Sequence, residues 1–283
     1  MAIDRTTRTG TSRVPDRDDW DYHWVSYGEA CQRNPADSYR HRLIMSLLGR
    51  PPAAATVLDI GSGQGELAIK LREVYPDVTV LGVDNSWTGV ERGRAVAAAR
   101  GVQVGFAQLD LLHPVTLPNG QPAAGYAVCS EVLEHVDDPV LLLHNSKSLL
   151  LPGCRLVVTV PGGPRSAFDR HIGHRRHFEA EDLRCVLTDA GYIVERVLRA
   201  GFPFFNLYKL TIIARGRRFI ADVENRAHPS LAELAAKRFF DAGFRHVRND
   251  SPLGWQMAAV AHLPEAGSLN HHPDSTRQVA PEA

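Results

Sequence analysis

Residues 57–66 read VLDIGSGQGE, and this stretch decides the fold. Its first half is apolar and β-branched, as in a buried strand. The glycines that follow permit backbone conformations closed to other residues and let a ligand approach the main chain. A helical pattern then begins at Glu66, with Leu67 and Leu71 on one face. The stretch therefore predicts a strand, a glycine loop and a helix, the arrangement of a nucleotide-type cofactor site.

Acidic residues distinguish this loop from a dinucleotide site. The third glycine of a dinucleotide fingerprint would fall at Glu66, and Asp59 lies just before the loop. Two carboxylates here would repel a pyrophosphate but suit a ligand with ammonium and sulfonium groups. Asp84 ends the second predicted strand, where an acid can bind ribose hydroxyls, and Asp110 ends the third, near an exocyclic amine. A turn-forming acid or a helix cap explains either one alone, but three acids at successive strand ends favour a cofactor site.

Strands and helices alternate along the chain from Thr56 to Leu263, which predicts a parallel sheet covered on both faces. The predicted strands are 56–60, 79–84, 102–109, 125–130, 155–160, 193–199 and 255–263. The predicted helices between them are 66–75, 89–100, 139–150 and 180–190. The fold class is therefore α/β, a Rossmann-like doubly wound sheet of seven strands. It is mostly parallel, with the last strand antiparallel at the sheet's end.

Segments outside this alternation divide the chain further. They are a disordered N-terminal tail (1–19), an N-terminal helical cap (20–50), the core (51–200 and 251–263), a helical insertion or lid before the last strand (201–250) and a flexible tail (264–283). The insertion starts with aromatic residues and carries a basic face. Its predicted role is open among a lid, a dimer contact and a membrane-surface contact.

The ordered set of motifs resembles class I S-adenosylmethionine-dependent methyltransferases, in the branch of ubiquinone-type and natural-product enzymes. The matching motifs are residues 57–65, GVDNS at 82–86, QLD at 108–110, SEVLEHV at 130–136 and LPG at 151–153. The resemblance implies S-adenosyl-L-methionine as the cofactor. It also implies methyl transfer to an oxygen, nitrogen or carbon of a small-molecule acceptor.

The same resemblance implies a role for each motif residue. The methionine end of the cofactor is assigned to Asp59, Gly61, Gly63 and Gly65, the ribose to Asp84, and the adenine to Asp110. Asn85 and Leu111, their neighbours in the chain, complete the predicted set. Glu131 ends the fourth strand, beside the expected position of the sulfonium.

The segment after the fifth strand carries the candidates for a catalytic base. An acceptor hydroxyl must lose a proton, and a histidine suits that task near neutral pH. His174 is the first candidate and His171 the second, while His135 is assigned a structural or substrate-orienting role. The alternative is that His174 and Phe178 only fasten this segment to the core. His171, His174 and His177 form a second possible group, a metal set. Their three-residue spacing suits one loop poorly and no Cys or carboxylate is arranged to complete the set, so no metal is predicted.

Residues outside the core motifs are predicted to contact the acceptor. They are Trp24 and Tyr27 in the N-terminal cap, Phe204 in the insertion and Arg176 in the histidine segment. Phe204 would form an apolar wall or lid together with Phe202 and Phe205, and Arg176 would hold an anionic group. The alternatives are a phenylalanine that buries its helix against the sheet and a solvated arginine.

The amino-acid composition narrows the classes of binding partner that we expect for the protein. The 32 basic and 32 acidic residues give zero formal charge, which argues against a dedicated nucleic-acid binder. Four scattered cysteines predict reduced thiols and a cytoplasmic location. No apolar run approaches the roughly 20 residues that span a bilayer, so no stable membrane insertion is expected. A homodimer is compatible with the sequence.

Two alternative functions remain open from the sequence. One is methylation of a macromolecule or lipid-linked substrate, and the other is a non-catalytic S-adenosylmethionine-binding module.

Overall fold

The computed structural model describes residues 19–32, 34–116, 124–225 and 231–265. Its helices are α1 (Trp20–Gln32), α2 (Pro35–Leu48), α3 (Glu66–Val74), α4 (Trp87–Ala99), α5 (Pro139–Ser146), α6 (Ala167–His171), α7 (Ala180–Asp189), α8 (Phe204–Arg215), α9 (Arg217–Asn225) and α10 (Leu231–Gly243). Its strands are β1 (Thr56–Ile60), β2 (Thr79–Asp84), β3 (Gly105–Gln108), β4 (Ala124–Ser130), β5 (Leu150–Pro161), β6 (Ile193–Ala200) and β7 (Gln256–His262).

The strands form one sheet in the order β3-β2-β1-β4-β5-β7-β6. Strands β1 to β5 pair in parallel, and β7 pairs antiparallel with both of its neighbours. The predicted seven-stranded, doubly wound α/β class is confirmed. Strand order reverses between β1 and β4, and ligands of such sheets bind outside the carboxyl ends of the strands at this point.

The predicted position of the last strand is wrong. β7 lies between β5 and β6 and not at the sheet's end. Its side chains from Met257 to Ala261 are fully buried, so both faces of the strand are covered, which suits an inner position. β6 is the edge strand instead, and it exposes the charged Glu195 and Arg196 to solvent, as edge strands commonly do.

Two element boundaries differ from the predictions for local reasons. β5 begins at Leu150 because this residue pairs with Ala124 of β4, ahead of the turn at Pro152 and Gly153. The preceding helix α5 therefore stops at Ser146, and a short 3₁₀ helix joins the two elements. β3 is shorter than predicted, since its pairing with β2 begins only at Gly105.

Alternation along β1 places an apolar core on each face of the sheet. Val57 packs in a cluster with Leu43 of α2 and Leu71 of α3. Leu58 packs in a second cluster with Leu143 of α5 and Leu183 of α7. The two covered faces leave the carboxyl edge of the sheet as the place where loops and ligands meet.

The remaining predicted segments lie around this core. α1 and α2 fall within the predicted cap, and α8, α9 and α10 fall within the predicted insertion. The predicted tails lie outside the described residues, apart from Asp19, Pro264 and Glu265. In the described part of the chain, no helix combines the length and the apolar character required to cross a bilayer.

Candidate active site

A cavity of about 1140 Å³ lies at the carboxyl ends of β1, β2 and β4. Its walls include the glycine loop after β1, the segment from Glu131 to Val136 and residues of α1, α2 and α8 to α10. The cavity therefore occupies the point of strand reversal and extends under the helices that the core fold does not require.

The glycine loop is tied to the end of β2. Gly61 and Ser62 donate their backbone N–H groups to the carbonyl of Val83 at 2.8 and 2.9 Å. Gly61 and Gly63 have φ angles of 70° and 52°, a region that favours glycine. Both line the cavity. The loop thus places glycine backbone in the wall of the cavity.

Gly65 takes a different position. It is the residue before α3, and a Cβ atom placed on it would meet the ring of Phe106 and the Cα of Gly93. It is not among the described residues that line the cavity. Its small size allows α3 to pack closely against α4 and β3, so the structure separates it from Gly61 and Gly63.

Two buried acids, Asp59 and Asp84, lie beside the loop. The carboxylate of Asp84 accepts hydrogen bonds from the N–H groups of Gly63 and Ser86, both at 2.8 Å. Asp59 is 2% exposed, and its Oδ2 has no hydrogen-bond partner among the described residues. Burial, together with the nearby charge of Asp84, raises the pKa of Asp59 to about 8. A cation placed between these acids would stabilise their ionised forms.

The other predicted cofactor residues line the same end of the cavity. Asn85 follows Asp84, and Leu111 is a buried residue of the same lining. Asp110 also lines the cavity, but its two oxygens accept from the N–H of Leu112 at 3.0 Å and pair with Nδ1 of His113 at 2.8 Å. The carboxylate of Asp110 therefore already has partners in its own turn.

Glu131 directly follows β4, which lies next to β1 where the strand order reverses. Its φ is 57°, a left-handed backbone conformation that is uncommon for a residue with a side chain. Its Oε1 accepts from Nε2 of Gln256 at 2.9 Å, and its Oε2 lies 3.4 Å from Nη1 of Arg40, which also pairs with Asp37. Strained backbone of this kind often occurs at functional sites. The sequence predictions missed both Arg40 and Gln256, although Gln256 is a lone polar residue at the start of an apolar strand.

The predicted catalytic histidines separate into two groups. His174 is buried and lines the cavity with His135, and their ring centroids are 4.6 Å apart. His171 is exposed and is not among the lining residues. Burial lowers the pKa of His174 well below its usual value and that of His135 to about 3. Both rings are therefore neutral near pH 7.

Two carboxylates lie among these histidines, so the sequence argument that none is arranged there is wrong. Oε1 of Glu134 is 3.9 Å from Nε2 of His135 and 4.0 Å from Nε2 of His174. Asp169 approaches the Nδ1 of His174 at 4.0 Å and the Nε2 of His177 at 3.7 Å. Each carboxylate thus joins two imidazoles in a group of a size that fits a metal ion.

A buried ion pair closes this end of the cavity. Nζ of Lys209 lies 2.7 Å from Oδ1 of Asp169, and both side chains are almost fully buried. Burial alone would raise the pKa of Asp169, but Lys209 and Ser166 lower it below its usual value. The sequence held a signal for this pair, because Lys209 is a single charge within an apolar run and such a residue requires a partner when it is buried.

The four residues that were predicted to contact the acceptor substrate lie in different parts of the structure. The ring of Trp24 lies against Gly63 and lines the cavity, whereas the side chain of Tyr27 lies outside the described residues. Arg176 donates to the carbonyl of Asp137 at 2.8 Å and is not among the lining residues. Phe204 packs against α10, at Gly243 and Phe239.

Phe205 lines the cavity in place of Phe204, because successive residues of a helix point in directions about 100° apart. Further apolar lining residues were not predicted; they are Phe168, Ile172, Tyr208, Ile212, Phe219, Leu234 and Phe240. We call the part of the cavity that these residues and Phe205 surround the apolar chamber. These residues belong to α6, α8, α9 and α10 or follow α6 directly, and Lys209, Arg215, Asp222 and Lys237 of the same helices also line the cavity.

Comparisons with known proteins agree with this architecture. A family described as "Methyltransferase domain" matches residues 29–197. An uncharacterized 37.1 kDa protein in transposon TN4556 of Streptomyces fradiae is 32% identical over 207 residues, which are 68% of this chain and 56% of that protein. A ubiquinone biosynthesis O-methyltransferase of Xanthomonas axonopodis pv. citri (strain 306) is 31% identical over 117 residues, 41% of this chain and 47% of that protein. The chain spans about half the length of these curated relatives.

Solved structures show the same fold at low sequence identity. The phosphoethanolamine N-methyltransferase 2 of Haemonchus contortus superposes with a TM-score of 0.57 at 16% identity, over 90% of this chain and 61% of that one. The family match covers more than half of the chain and includes the glycine loop, Asp84 and the segment from Glu131 to Val136. The chain therefore belongs to the methyltransferase-domain family of class I S-adenosylmethionine-dependent methyltransferases.

Proposed function

We propose that the protein transfers a methyl group from S-adenosyl-L-methionine to a small-molecule acceptor. One observation carries this proposal. The buried acids Asp59 and Asp84 and the glycines Gly61 and Gly63 line the same cavity as Glu131 and the residues of the apolar chamber. A cationic cofactor and an acceptor can therefore lie end to end within one enclosure.

The residues at the loop end fit the cofactor. The unpartnered Oδ2 of Asp59 would accept from its ammonium group, the carboxylate of Asp84 would face its ribose, and the backbone of Gly61 and Gly63 allows close approach. When bound, the cofactor supplies a methyl group on a positively charged sulfur. Glu131 would lie beside that charge. Asn85, Asp110 and Leu111 would surround the adenine end.

The enclosure favours a small acceptor over a macromolecule. Small-molecule pockets are typically about 300–1,000 Å³, so a cavity of about 1140 Å³ can hold a cofactor and a modest acceptor together. His135 and His174 line the same cavity as Glu131, so they would lie beside the acceptor, and an enclosed site of this kind can orient the two reactants and exclude water. The ubiquinone biosynthesis relative is named for O-methylation, which supports this acceptor class.

Location and assembly remain part of this proposal. Cys129, Cys154 and Cys185 are free thiols, which supports a reducing, cytoplasmic environment. The zero formal charge supports the absence of a nucleic-acid partner. A homodimer stays a prediction from the sequence.

A binding titration followed by a transfer assay tests the proposed function. We expect S-adenosylmethionine to bind with one site per chain in calorimetry. We then expect radiolabelled methyl transfer to at least one member of a panel of apolar phenols, amines and carboxylic acids. Absence of cofactor binding would overturn the proposal. Binding with transfer only to proteins or nucleic acids would overturn its acceptor class.

The raised pKa of Asp59 predicts a pH-dependent affinity. Below about pH 8 the carboxyl of the free protein is protonated, whereas the ammonium of the cofactor favours the ionised form. Affinity should therefore rise from pH 6 to about pH 8, with a loss of about tenfold one pH unit below the pKa of Asp59, and should fall again above about pH 8 as the cofactor's ammonium loses its proton. Asp59→Asn serves as the matched control, since titration of the cofactor itself is common to both proteins. Parallel pH profiles for the two proteins would contradict the assignment.

A further inference from the structure

Glu134 has no assigned partner although it is completely buried. Its side chain is 0% exposed, and neither carboxylate oxygen has a hydrogen-bond partner among the described residues. Burying a carboxyl group without a hydrogen bond or a cation costs several kcal/mol. A buried acid without a partner, such as Glu134, is usual where the acid binds a ligand.

Two imidazole nitrogens lie near Oε1 of Glu134. Atoms bound at about 2.1 Å from one tetrahedral metal ion are about 3.4 Å apart. Oε1 of Glu134 is 3.9 Å from Nε2 of His135 and 4.0 Å from Nε2 of His174, and one ligand atom from each of the three residues lies within 4.8 Å of the others. Each side chain therefore has to move by a few tenths of an ångström or more to close on a shared ion.

A chain of hydrogen bonds directs the lone pair of His174 toward Glu134. Nδ1 of His177 lies 2.9 Å from the carbonyl of Gly163, so it donates, and its Nε2 is then an acceptor. That Nε2 lies 3.3 Å from Nδ1 of His174, which must donate in turn. The Nε2 of His174 is then left unprotonated, the form in which a histidine binds a metal.

The neighbouring group of Asp169, His174 and His177 is a weaker candidate. Nζ of Lys209 already lies 2.7 Å from Asp169 and neutralises its charge. A metal bound there would also have to displace the hydrogen bond between the two imidazoles. Asp169 and His177 therefore act as supporting residues around His174.

We propose that Glu134, His135 and His174 bind one divalent transition-metal ion at the acceptor end of the cavity. Two imidazoles and one carboxylate form a set suited to Zn²⁺, Co²⁺, Fe²⁺ or Mn²⁺, whereas Mg²⁺ and Ca²⁺ prefer oxygen ligands. Three protein ligands leave at least one position open, and His135 and His174 line the cavity. An acceptor oxygen or nitrogen binds at that position, a role that rests on the proposed function.

Cobalt titration tests the site without any methylation assay. The full chain, freed of any affinity tag and stripped with a chelator, is titrated with Co²⁺ while its visible absorbance is followed. We expect a saturable band with one Co²⁺ per chain that Zn²⁺ displaces. Glu134→Gln and His174→Ala should each remove the saturable band. His177→Ala should weaken Co²⁺ binding about 10- to 100-fold, because it orients a ligand.

The matched control is His171→Ala, which removes an exposed histidine from the same segment and should keep wild-type Co²⁺ binding. S-adenosylmethionine titration of every variant checks folding. Absence of a saturable band in the wild-type protein, or an unchanged band in both Glu134→Gln and His174→Ala, would overturn the metal site. An equal loss in His171→Ala would also overturn it. Co²⁺ binding by a wild-type protein that does not bind the cofactor would overturn the proposed function alone.

Discussion

Asp84→Ala is expected to abolish measurable binding of S-adenosylmethionine. The substitution removes the acceptor for the N–H groups of Gly63 and Ser86 as well as the proposed partner of the ribose. Each buried N–H left without a partner costs about 1–3 kcal/mol, and hydrogen bonds to a charged group contribute about 1.5–3 kcal/mol. The unpaired N–H groups weaken the fold of the loop, whereas each lost bond from a ribose hydroxyl to the carboxylate corresponds to roughly 10- to 150-fold in affinity, so two such bonds account for about a thousandfold or more. Calorimetric titration of the purified variant measures it directly.

Asp110→Ala is the matched control at the next strand end. Its carboxylate is half exposed and already pairs within its own turn, with Leu112 and His113. We expect only a small loss of affinity from this variant. Wild-type affinity in a folded Asp84→Ala protein would refute the ribose assignment, and circular dichroism of both variants checks that they fold.

Lys209→Met should destabilise the fold strongly. The substitution leaves Asp169 buried without its cation, and breaking a buried ion pair from one side costs about 3–5 kcal/mol of unfolding free energy. Urea denaturation measures the change. The comparison variant is Lys237→Met, whose pair with Asp241 is more than a third exposed, and about 1 kcal/mol or less is expected there.

A double variant separates the charge from the packing. Asp169→Asn combined with Lys209→Met removes both charges and should recover part of the stability that Lys209→Met loses. Equal stability losses in Lys209→Met and Lys237→Met would show that Lys209 does not compensate a buried charge.

The fold and the cofactor end of the site could be predicted from sequence because their signals are local. Gly61 and Gly63 lie in a loop whose neighbours in the chain form the strand and helix that position it. Asp59 and Asp84 each lie within a few residues of a strand end. The topology of a doubly wound sheet then brings these strand ends together without further information.

The acceptor end depends on contacts between distant segments, which local patterns do not encode. Glu134 is hidden within the same motif that carries Glu131 and His135, and its burial becomes visible only when the segment of His174 folds over it. Phe204 and Phe205 are equivalent in sequence, and only the rotation of α8 decides which one faces the cavity. The position of Arg176 could not be predicted for the same reason, since its side chain donates to the carbonyl of Asp137 and does not line the cavity.

The insertion of β7 between β5 and β6 has a consequence for the synthesis of the protein. Until residues 256–262 have left the ribosome, β5 has one unpaired edge and β6, which pairs only with β7, has no partner strand. Exposed edges are prone to aggregation, and long-range pairing forms slowly. Helices α8, α9 and α10 are made before β7, so the walls of the apolar chamber emerge before the sheet that supports them is complete. The nascent chain therefore depends on its last described strand to close its sheet, and chaperone protection is needed most in the interval before that strand appears.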